Sequence, residues 1–502
     1  MIPLAGRRAL VVGLAKSGVA AARALARHGA VVVGSDRRPP AELEKNVEAL
    51  GELCVSLLLG DQGPWILEHG SSSGGDSSLR AGRRIQDGAG ETLSPARAGQ
   101  GPFDLIIKSP GVPPGIPLLV RARELGIPIY AEVELAFGLT RASIVAVTGT
   151  NGKTTTSSWI GEILAQGGKP STVAGNIGVP LCDEVSALGP EQIVVAEISS
   201  FQLEDIEEFR PRVALLLNLS PAHEDRHPTW EHYVAAKRRL FRNQDPGDWA
   251  VLNAGDPAVT ALAADLSGLA GEGSGAGNPA VAWFRRGAGE VPSGTWMHGD
   301  RLMLRRPGGE AEALLERPAL RLPGEHNLEN ALAAACAAAL CGVETAGIRD
   351  GLVSFRGVSH RQEPVGEARG VRFVNDSKAT NPRSAITALR AVPGPVILLA
   401  GGLDRRADYD PMMEEARGRV KGIVIFGHAA ELLEESARRT GVPGIIRTAG
   451  LEEAVRAAFR LAVPGDCILL SPGCASWDAF RDYEERGEAF RALARRLGEE
   501  SA

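Results

Sequence analysis

The chain alternates short, continuous apolar runs with amphipathic segments along most of its length. The first run, 9–13, is followed by a segment that Ser17 can cap as a helix through about His28. Further apolar runs follow at 31–33 and 104–107, the latter before a turn rich in proline and glycine. Continuous apolar strands that alternate with helices are typical of a parallel sheet covered on both faces. The pattern therefore predicts an α/β fold.

The same alternation begins again near Ser143 with an apolar strand, a glycine-rich turn and a helix to about Gln166. Strands are predicted next at 193–198 and 213–219, and an alanine-rich helix at 325–340 that ends before Gly342.

A third α/β unit starts around Val358, with strands predicted at 396–400, 422–426 and 467–470. Two stretches, 70–101 and 267–279, are rich in small residues and poor in large apolar ones. They bury too little surface to offset the entropy of ordering, which predicts flexible surface insertions. We predict three domains in series, at residues 1–131, 132–357 and 358–502.

Composition narrows the class of protein. The 502 residues are 44% hydrophobic and 23% charged, as in a globular protein, and the net charge of −6 predicts no nucleic-acid partner. Apolar runs are too short for a signal peptide or a membrane span. The six cysteines are scattered without a Cys-x-x-Cys pair, which indicates reduced and mostly buried thiols in a cytoplasmic protein.

The glycine-rich turn of the second unit, TGTNGKTT at 148–155, carries the strongest chemical signal. Glycines let backbone N–H groups approach phosphate oxygens, and a helix N-terminus favours negative charge. Lys153 would reach the outer phosphates and the Thr154 hydroxyl would bind Mg²⁺. An ordinary P-loop has glycine where this chain has Val147. The loop in this chain is therefore a compact form, which is rarer than the ordinary P-loop and more specific. The alternative is a turn that merely connects a strand with a helix.

Polar side chains also follow two other predicted strands. Glu197 ends an apolar run and can bind Mg²⁺ where α/β sheets bind ligands, or it can cap the next helix. His223 lies in an ionisable segment just after a strand, which favours a site over a structural histidine. Lys237 lies on a predicted helix and by itself reads as a solvated lysine on an amphipathic face.

The first strand ends in Gly13-Leu-Ala-Lys-Ser-Gly18, which resembles a dinucleotide-binding turn with Ala15 in place of the middle glycine. Asp36 ends the next strand, where an acidic residue meets a ribose in such folds. Alone this is weak support for an NAD-linked oxidoreductase.

Eight segments occur in a fixed order from the glycine loop to the C-terminal region. They are TGTNGKTTT, AGNIG (174–178), EISSFQLE (197–204), YVAAK (233–237), GEHNLENALAA (324–334), SHR (359–361), NDSKATN (375–381) and SPGCASWDAF (471–480). Together they resemble the Mur ligases of peptidoglycan synthesis, over essentially the whole chain apart from the two insertions.

The resemblance implies a Rossmann-like UDP-binding domain, a central P-loop ATPase-like domain and a C-terminal Rossmann-like domain. The implied substrates are ATP, UDP-N-acetylmuramoyl-L-alanine and D-glutamate. ATP phosphorylates the alanine carboxylate, and the amine of D-glutamate attacks the acyl phosphate. A cytoplasmic monomer that serves cell-wall growth and division is also implied.

The resemblance assigns roles in the central domain and around ATP. Lys153, His223 and Lys237 would be catalytic, and the lysine at position 237 is N-carbamylated in the family. Mg²⁺ would be held by Thr154, Glu197, His223 and carbamylated Lys237. ATP would contact Gly149, Thr150, Asn151, Gly152, Lys153, Thr154, Thr155, Asn327, Arg361 and Asp376, with Asn330 near the adenine.

Roles in substrate binding follow in the same way. Ser17, Asp36, Asn176 and Ser199 would contact the UDP-sugar or its reacting carboxylate. Lys378, Thr380, Ser476 and Tyr483 would hold D-glutamate, since a dicarboxylate needs at least one fixed cation.

Two residues depart from the family pattern: Ala222 replaces an aspartate before the metal-binding histidine, and Arg405 stands where relatives often have lysine. A carboxylate often orients a histidine ligand, so Ala222 puts the geometry at His223 in doubt unless Glu224 or Asp225 compensates.

Three alternative functions stay open: another Mur step, a folylpolyglutamate synthase, and a non-catalytic nucleotide-binding relative.

Overall fold

The computed structural model describes residues 4–51, 53, 55–60, 63–69, 103–176, 178–223, 226–266, 278–404 and 407–501. The insertion predicted at 70–101 lies outside the described residues, as do 267–277 of the second one and residues Glu224, Asp225 and Arg405. Two compact units divide the chain, Met1–Phe355 and Arg356–Ala502.

A five-stranded sheet begins the first unit, with strand order β3-β2-β1-β4-β5 and parallel pairing throughout. Its elements are β1 (Arg8–Val12), α1 (Lys16–Arg27), β2 (Val31–Asp36), α2 (Pro40–Glu48), β3 (Val55–Leu59), α3 (Ile66–His69), β4 (Leu105–Lys108), α4 (Pro117–Glu124), β5 (Ile129–Ala131) and α5 (Glu132–Leu139). The order reverses between β1 and β4, where open α/β sheets bind ligands.

Close packing of β1 against α1 depends on Gly18. A Cβ there would lie 1.8 Å from the carbonyl oxygen of Gly13, which is why the turn ends in glycine. The helix begins at Lys16 with Ala15 as its cap, so the expectation that Ser17 caps it is wrong. The cap lies two residues before the predicted one, after Gly13 has turned the chain with a positive φ of 89°.

The second sheet of this unit has nine strands in the order β14-β13-β12-β11-β10-β9-β6-β8-β7. Its elements are β6 (Ser143–Thr148), α6 (Lys153–Gln166), β7 (Ser171–Gly175), α7 (Leu181–Glu184), β8 (Ile193–Glu197), α8 (Ser200–Leu203), β9 (Val213–Leu216), α9 (Trp230–Arg238), β10 (Trp249–Asn253), α10 (Pro257–Leu266), β11 (Ala280–Arg285), β12 (Gly294–His298), β13 (Arg301–Arg305), β14 (Ala311–Glu316), α11 (Glu325–Leu340) and α12 (Thr345–Ser354).

The pairing in this sheet is parallel from β7 to β12 and antiparallel from β12 to β14. The antiparallel edge was not predicted, because its strands lack continuous apolar runs. In β13, Leu302 and Leu304 are buried while Arg301 is exposed, which is the alternation of a sheet with one wet face.

The second unit contains a six-stranded sheet in the order β15-β16-β20-β17-β18-β19, antiparallel only at the β15–β16 pair. Its elements are β15 (Glu363–Ala368), β16 (Val371–Asn375), α13 (Pro382–Ala391), β17 (Val396–Gly401), α14 (Asp410–Arg417), β18 (Val420–Phe426), α15 (Ala430–Thr440), β19 (Ile445–Arg447), α16 (Leu451–Leu461), β20 (Cys467–Leu470) and α17 (Tyr483–Glu499).

The α/β prediction is confirmed, and several elements match closely. The alanine-rich helix and β20 have the predicted bounds, and Glu197 and Asp36 end their strands as expected. Five cysteines are free thiols and four of these are buried, as predicted; Cys54 lies outside the described residues. Among the described helices, none is long and apolar enough to cross a membrane.

The two sheets of the first unit share one apolar core, and α5 joins them. Glu132, the first residue of α5, is fully buried, and its Oε1 accepts a 2.7 Å hydrogen bond from the N–H of Cys182 in α7. Its Oε2 has no hydrogen-bond partner among the described residues. Burial raises the pKa of this carboxyl to about 7, which favours the protonated acid in this joint.

Replacing Glu132 with glutamine should reduce the pH dependence of stability. The folded-state pKa is raised from 4.5 to about 7, so the unfolded chain loses its proton first and stability falls as pH rises through this window. We expect Glu132→Gln to unfold like the wild type at pH 4.5 and to be roughly 2–4 kcal/mol more stable at pH 8. Urea unfolding at both pH values measures this, with the exposed Glu124→Gln as control.

Candidate active site

The glycine loop connects β6 to α6 at the carboxyl edge of the nine-stranded sheet. Gly152 caps the helix in a left-handed conformation with φ 82°, and a Cβ there would lie 2.4 Å from the Oδ1 of Asn330. The cap itself makes no side-chain hydrogen bond, and the helix N-terminus lies where the sequence predicts anion binding.

The segment after β9 fixes the shape of this loop. Asn218 accepts a 2.8 Å hydrogen bond from the N–H of Asn151 and donates one of 3.2 Å to its carbonyl oxygen. The hydroxyl of Thr150 accepts a hydrogen bond from the N–H of Ser220 and contacts the Tyr233 hydroxyl at 2.9 Å. Sequence reasoning missed Asn218, because a single asparagine after a strand carries no distinctive signal.

Lys153 begins α6 and its ammonium lies on the loop. Its Nζ donates 3.0 Å hydrogen bonds to the carbonyl oxygens of Gly149 and Thr150. Thr154 and Thr155 follow in the first turn and are buried. The loop therefore combines a cation, helix N–H groups and a hydroxyl, which is a donor set for a polyphosphate.

Lys237 is only 2% exposed, which overturns the reading of a solvated lysine. Its Nζ donates to the Thr148 hydroxyl at 3.2 Å and to the Gly149 carbonyl at 3.0 Å, and it lies 4.9 Å from the centre of the Tyr233 ring. The sequence does carry a signal for this burial: Tyr233, Lys237 and Leu240 fall on one helical stripe with apolar neighbours.

Burial, reinforced by the charge of nearby Lys153, lowers the pKa of the Lys237 ammonium well below its usual range, while Glu197 opposes this shift. A lowered pKa increases the fraction of neutral amine. Neutral amine is the form that can add carbon dioxide, so the environment fits the carbamate that the family resemblance implies.

Glu197 ends β8 beside Val147 of β6 and is buried. It accepts a 3.3 Å hydrogen bond from the side-chain amide of Asn176, a predicted substrate contact. Helix α8 is capped by Ser199 and Gln202 in a capping box, not by Glu197. The carboxylate is therefore left at the strand end, in the position expected for a Mg²⁺ ligand.

His223 follows β9 in a left-handed conformation with φ 58°, which is uncommon for a residue other than glycine. Its ring packs edge-on against Phe201 at 5.0 Å and lies 6.3 Å from the Tyr233 ring. Tyr233 in turn contacts Thr150 and Lys237, so His223, Lys237 and the glycine loop meet around one tyrosine that sequence reasoning did not identify.

These donors fit Mg²⁺, a hard cation that prefers oxygen ligands. Glu197 supplies a carboxylate and Thr154 a hydroxyl at the same sheet edge. A carbamate on Lys237 would add further oxygens. The predicted ligands thus come from adjacent strand ends and the two helices that follow them.

The first sheet places Asp36 at its own carboxyl edge. One oxygen of Asp36 accepts a 2.7 Å hydrogen bond from the N–H of Leu14, and Arg38 binds both oxygens. Although burial opposes ionisation, these contacts hold the pKa of Asp36 below its usual value. Ser17 is half-buried in the first turn of α1, on the other side of the glycine turn.

In the second unit, the predicted D-glutamate residues lie on two segments. Lys378 follows β16, and its Nζ lies 5.6 Å from the centre of the Tyr483 ring. Thr380 is close by in sequence, and Ser476 is buried in the segment after β20. The structure thus brings Lys378 and Tyr483 side by side, in agreement with the predicted grouping of these two residues.

Arg486 ties these two segments together and was missed from the sequence. It is fully buried and donates to the carbonyl oxygens of Ser377 at 2.8 Å and Cys474 at 3.1 Å. Burial lowers the pKa of this guanidinium to about 10. The signal was its place on the apolar stripe of α17 with Phe490 and Leu497.

Asp376 follows β16 and is, with Arg361, one of the two predicted ATP contacts in the second unit. Its two oxygens accept hydrogen bonds from the Ser471 hydroxyl at 2.7 Å and the N–H of Gln362 at 3.1 Å. Burial raises the pKa of Asp376 to about 7, against the charges of Arg361 and Arg486. Asn327, in the first unit, donates to the carbonyl oxygen of Pro323 at 2.8 Å.

Comparisons with known proteins agree with the motifs. Residues 147–338 match the Mur ligase middle domain, and residues 360–474 match the Mur ligase glutamate ligase domain. A relative from Pelotomaculum thermopropionicum, a UDP-N-acetylmuramoylalanine–D-glutamate ligase, is 41% identical over 97% of each chain. One of the same name from Geobacillus kaustophilus is 40% identical over 96% of each.

The chain belongs to the Mur ligase family. The solved structure of the MurF ligase from Thermotoga maritima in complex with ADP has the same fold, with a TM-score of 0.50 at 18% identity over 80% of this chain and 90% of that one. The Mur ligase resemblance of the sequence motifs is thereby confirmed, whereas the individual site residues and the domain boundaries stay predictions.

Gly152→Ala should weaken nucleotide binding. A Cβ at this position would lie 2.4 Å from the Asn330 amide oxygen, and alanine rarely adopts the left-handed backbone found here. The loop must therefore shift at the place where we predict the phosphates to bind. We expect about a tenfold weaker ATP affinity, which corresponds to roughly 1.4 kcal/mol, measured by titration calorimetry.

Gly168→Ala is the matched control. Gly168 follows the other end of α6 with φ 67°, and a Cβ there meets nothing within 4 Å. Its substitution should cost stability without changing ATP affinity. Equal affinities in the two variants would contradict the assignment of the loop.

Proposed function

We propose that this Mur ligase joins D-glutamate to UDP-N-acetylmuramoyl-L-alanine through an acyl phosphate, with conversion of ATP to ADP and phosphate, in peptidoglycan precursor synthesis. The observation that carries the proposal is near-full-length identity of about 40% with several ligases of that name. Lys153, Glu197, His223 and Lys237, which lie at or after the ends of neighbouring strands, provide the chemical groups that such a reaction needs.

ATP is the proposed energy source, and the glycine loop is its proposed site. The N–H groups at the start of α6 and the ammonium of Lys153 orient the polyphosphate and offset its charge. Phosphoryl transfer to a carboxylate brings two anions together, so the main task of these residues is to hold cationic groups in place before the reaction.

Mg²⁺ is the proposed metal, and it would neutralise charge on the transferring phosphoryl group. Thr154, Glu197, His223 and carbamylated Lys237 are the proposed ligands. Thr148 and Tyr233 hold the Lys237 side chain in place, and Asn176 orients Glu197.

D-Glutamate is the proposed acceptor of the acyl group. Lys378 would bind one of its carboxylates, with Thr380, Ser476 and Tyr483 around it. Asp36 and Ser17 would contact the UDP group, and Ser199 the reacting carboxylate. Arg361, Asp376 and Asn327 are proposed contacts of ATP.

The remaining features of the proposal concern organisation. We propose three domains at 1–131, 132–357 and 358–502, and a cytoplasmic monomer with small-molecule partners only. The free and mostly buried thiols support a reducing compartment.

Phosphate release should depend on D-glutamate. With ATP, Mg²⁺ and UDP-N-acetylmuramoyl-L-alanine, we expect release on addition of D-glutamate and background rates with L-glutamate, L-alanine, L-lysine or diaminopimelate. A coupled phosphate assay measures the rates, and mass spectrometry of the nucleotide product identifies the new amide. Phosphate release with one of the other amino acids and none with D-glutamate would assign the protein to a different Mur step. ATP binding without phosphate release would indicate a non-catalytic relative.

Lys237→Ala should remove at least about 99% of the activity, because the carbamate and its charge are lost together. Added bicarbonate should not restore the activity. Lys169→Ala, which changes a half-buried lysine after α6, is the control and should keep wild-type rates. Wild-type activity in the Lys237 variant would exclude an essential carbamate.

A further inference from the structure

A group of charged side chains joins the end of β4 in the first sheet to the segments after β8 and β9 in the second. It consists of Lys108, Glu204, Asp205 and Arg226, and is called the β4–α8 charge cluster below. Lys108 has a fully buried side chain, and its Nζ lies 2.6 Å from Asp205 Oδ2 and 3.2 Å from Glu204 Oε2. Buried charges of this kind are retained only when they are paired.

Arg226 makes the most contacts in this cluster. Its Nε and Nη2 donate to the two oxygens of Glu204 at 3.2 and 2.6 Å, and its Nη1 donates to the carbonyl oxygen of Val112 at 2.9 Å. The guanidinium also lies 5.1 Å from the centre of the Phe201 ring. Its side chain is 10% exposed, so these contacts are largely shielded from solvent.

The backbone of Arg226 is hydrogen-bonded to the backbone of His223. The N–H groups of Arg226 and His227 both donate to the carbonyl oxygen of His223, at 2.9 and 2.8 Å. Phe201, which packs under the Arg226 guanidinium, also packs edge-on against the His223 ring. The His223 backbone, which is in a left-handed conformation, is therefore hydrogen-bonded to a residue whose side chain is anchored by Glu204.

We propose that Arg226, held by Glu204 and Lys108, is a positioning residue that sets the place of His223 for metal binding. Position 222 is alanine, so the residue just before His223 has no side-chain oxygen to orient the imidazole. The hydrogen bonds to the His223 carbonyl oxygen and the shared contact with the Phe201 ring can hold His223 instead. This inference rests on the proposed function and on the proposed role of His223 as a metal ligand.

An arginine suits this role better than a lysine. Its planar fork binds both oxygens of Glu204 while the third nitrogen reaches Val112, and a lysine ammonium offers no such fixed geometry. Lys108 binds the same Oε2 of Glu204 at 3.2 Å and so pairs this carboxylate with the end of β4. The cluster thus links Lys108 at the end of β4 to Arg226, whose N–H group binds the His223 carbonyl oxygen.

The test compares Arg226→Met and Arg226→Lys with Glu204→Gln, which preserves shape and removes the charge. Arg210→Met is the matched control. Arg210, just before β9, donates a 2.6 Å hydrogen bond to Asp248, just before β10, at the opposite end of the strands of the same sheet. Circular dichroism and thermal melting confirm that each variant is folded.

Two readouts follow metal binding. The first is the Mg²⁺ concentration for half-maximal phosphate release at saturating substrates. The second is Mn²⁺ affinity measured by electron paramagnetic resonance with ADP present, which requires no turnover. We expect Arg226→Met to weaken both by about tenfold, Glu204→Gln and Arg226→Lys by less, and Arg210→Met to match the wild type.

Several results would overturn the proposal. A folded Arg226→Met with wild-type Mg²⁺ dependence and Mn²⁺ affinity would do so, even if the KM for the UDP-sugar rose. Equal losses in Arg226→Met and Arg210→Met would indicate general destabilisation, which also contradicts it. If the wild type fails to ligate D-glutamate while the variants still differ from it in Mn²⁺ affinity as expected, the proposed function alone is overturned.

Discussion

Parallel pairing of β6 with β8 on one side and β9 on the other is the constraint on which the candidate active site depends. It brings the ends of three strands to one edge of the sheet, where Thr148, Glu197 and Leu216 are near neighbours. Lys153 and Thr154 begin the helix after β6, Glu197 ends β8, and His223 and Lys237 follow β9. A one-residue register shift of β8 against β6 would move Glu197 to the opposite face of the sheet.

Burial of Lys237 is the main electrostatic consequence of this arrangement. A lysine removed from water pays a large desolvation cost when it is charged. The two oxygen acceptors of Thr148 and Gly149 offset part of that cost, while Lys153 adds repulsion. The environment therefore favours a neutral amine beside the glycine loop, which is unusual for a structural lysine and suits a chemically modified one.

Polar contacts connect the first sheet with the nine-stranded sheet and complement their shared apolar core. Glu134 accepts three hydrogen bonds from the N–H groups of Glu207, Glu208 and Phe209, and Glu132 caps the start of α7. Together with the β4–α8 charge cluster, they fix the edge that carries Asp36 relative to the edge that carries the glycine loop. Fixed spacing between two such edges would lower the entropy cost of aligning the proposed nucleotide-sugar and ATP.

The sequence by itself determined the α/β class, the strand-end positions of Asp36, Glu197 and the glycine loop, and, through ordered motifs, the family. These features are local, because apolar runs, glycines and strand ends are written in consecutive residues. Only the tertiary structure decided that Lys237 is buried, that Tyr233 and Asn218 shape the loop, and that Arg226 and Arg486 anchor separate segments. Those contacts join residues far apart in the chain, and their energies depend on desolvation and distance, which no local pattern specifies.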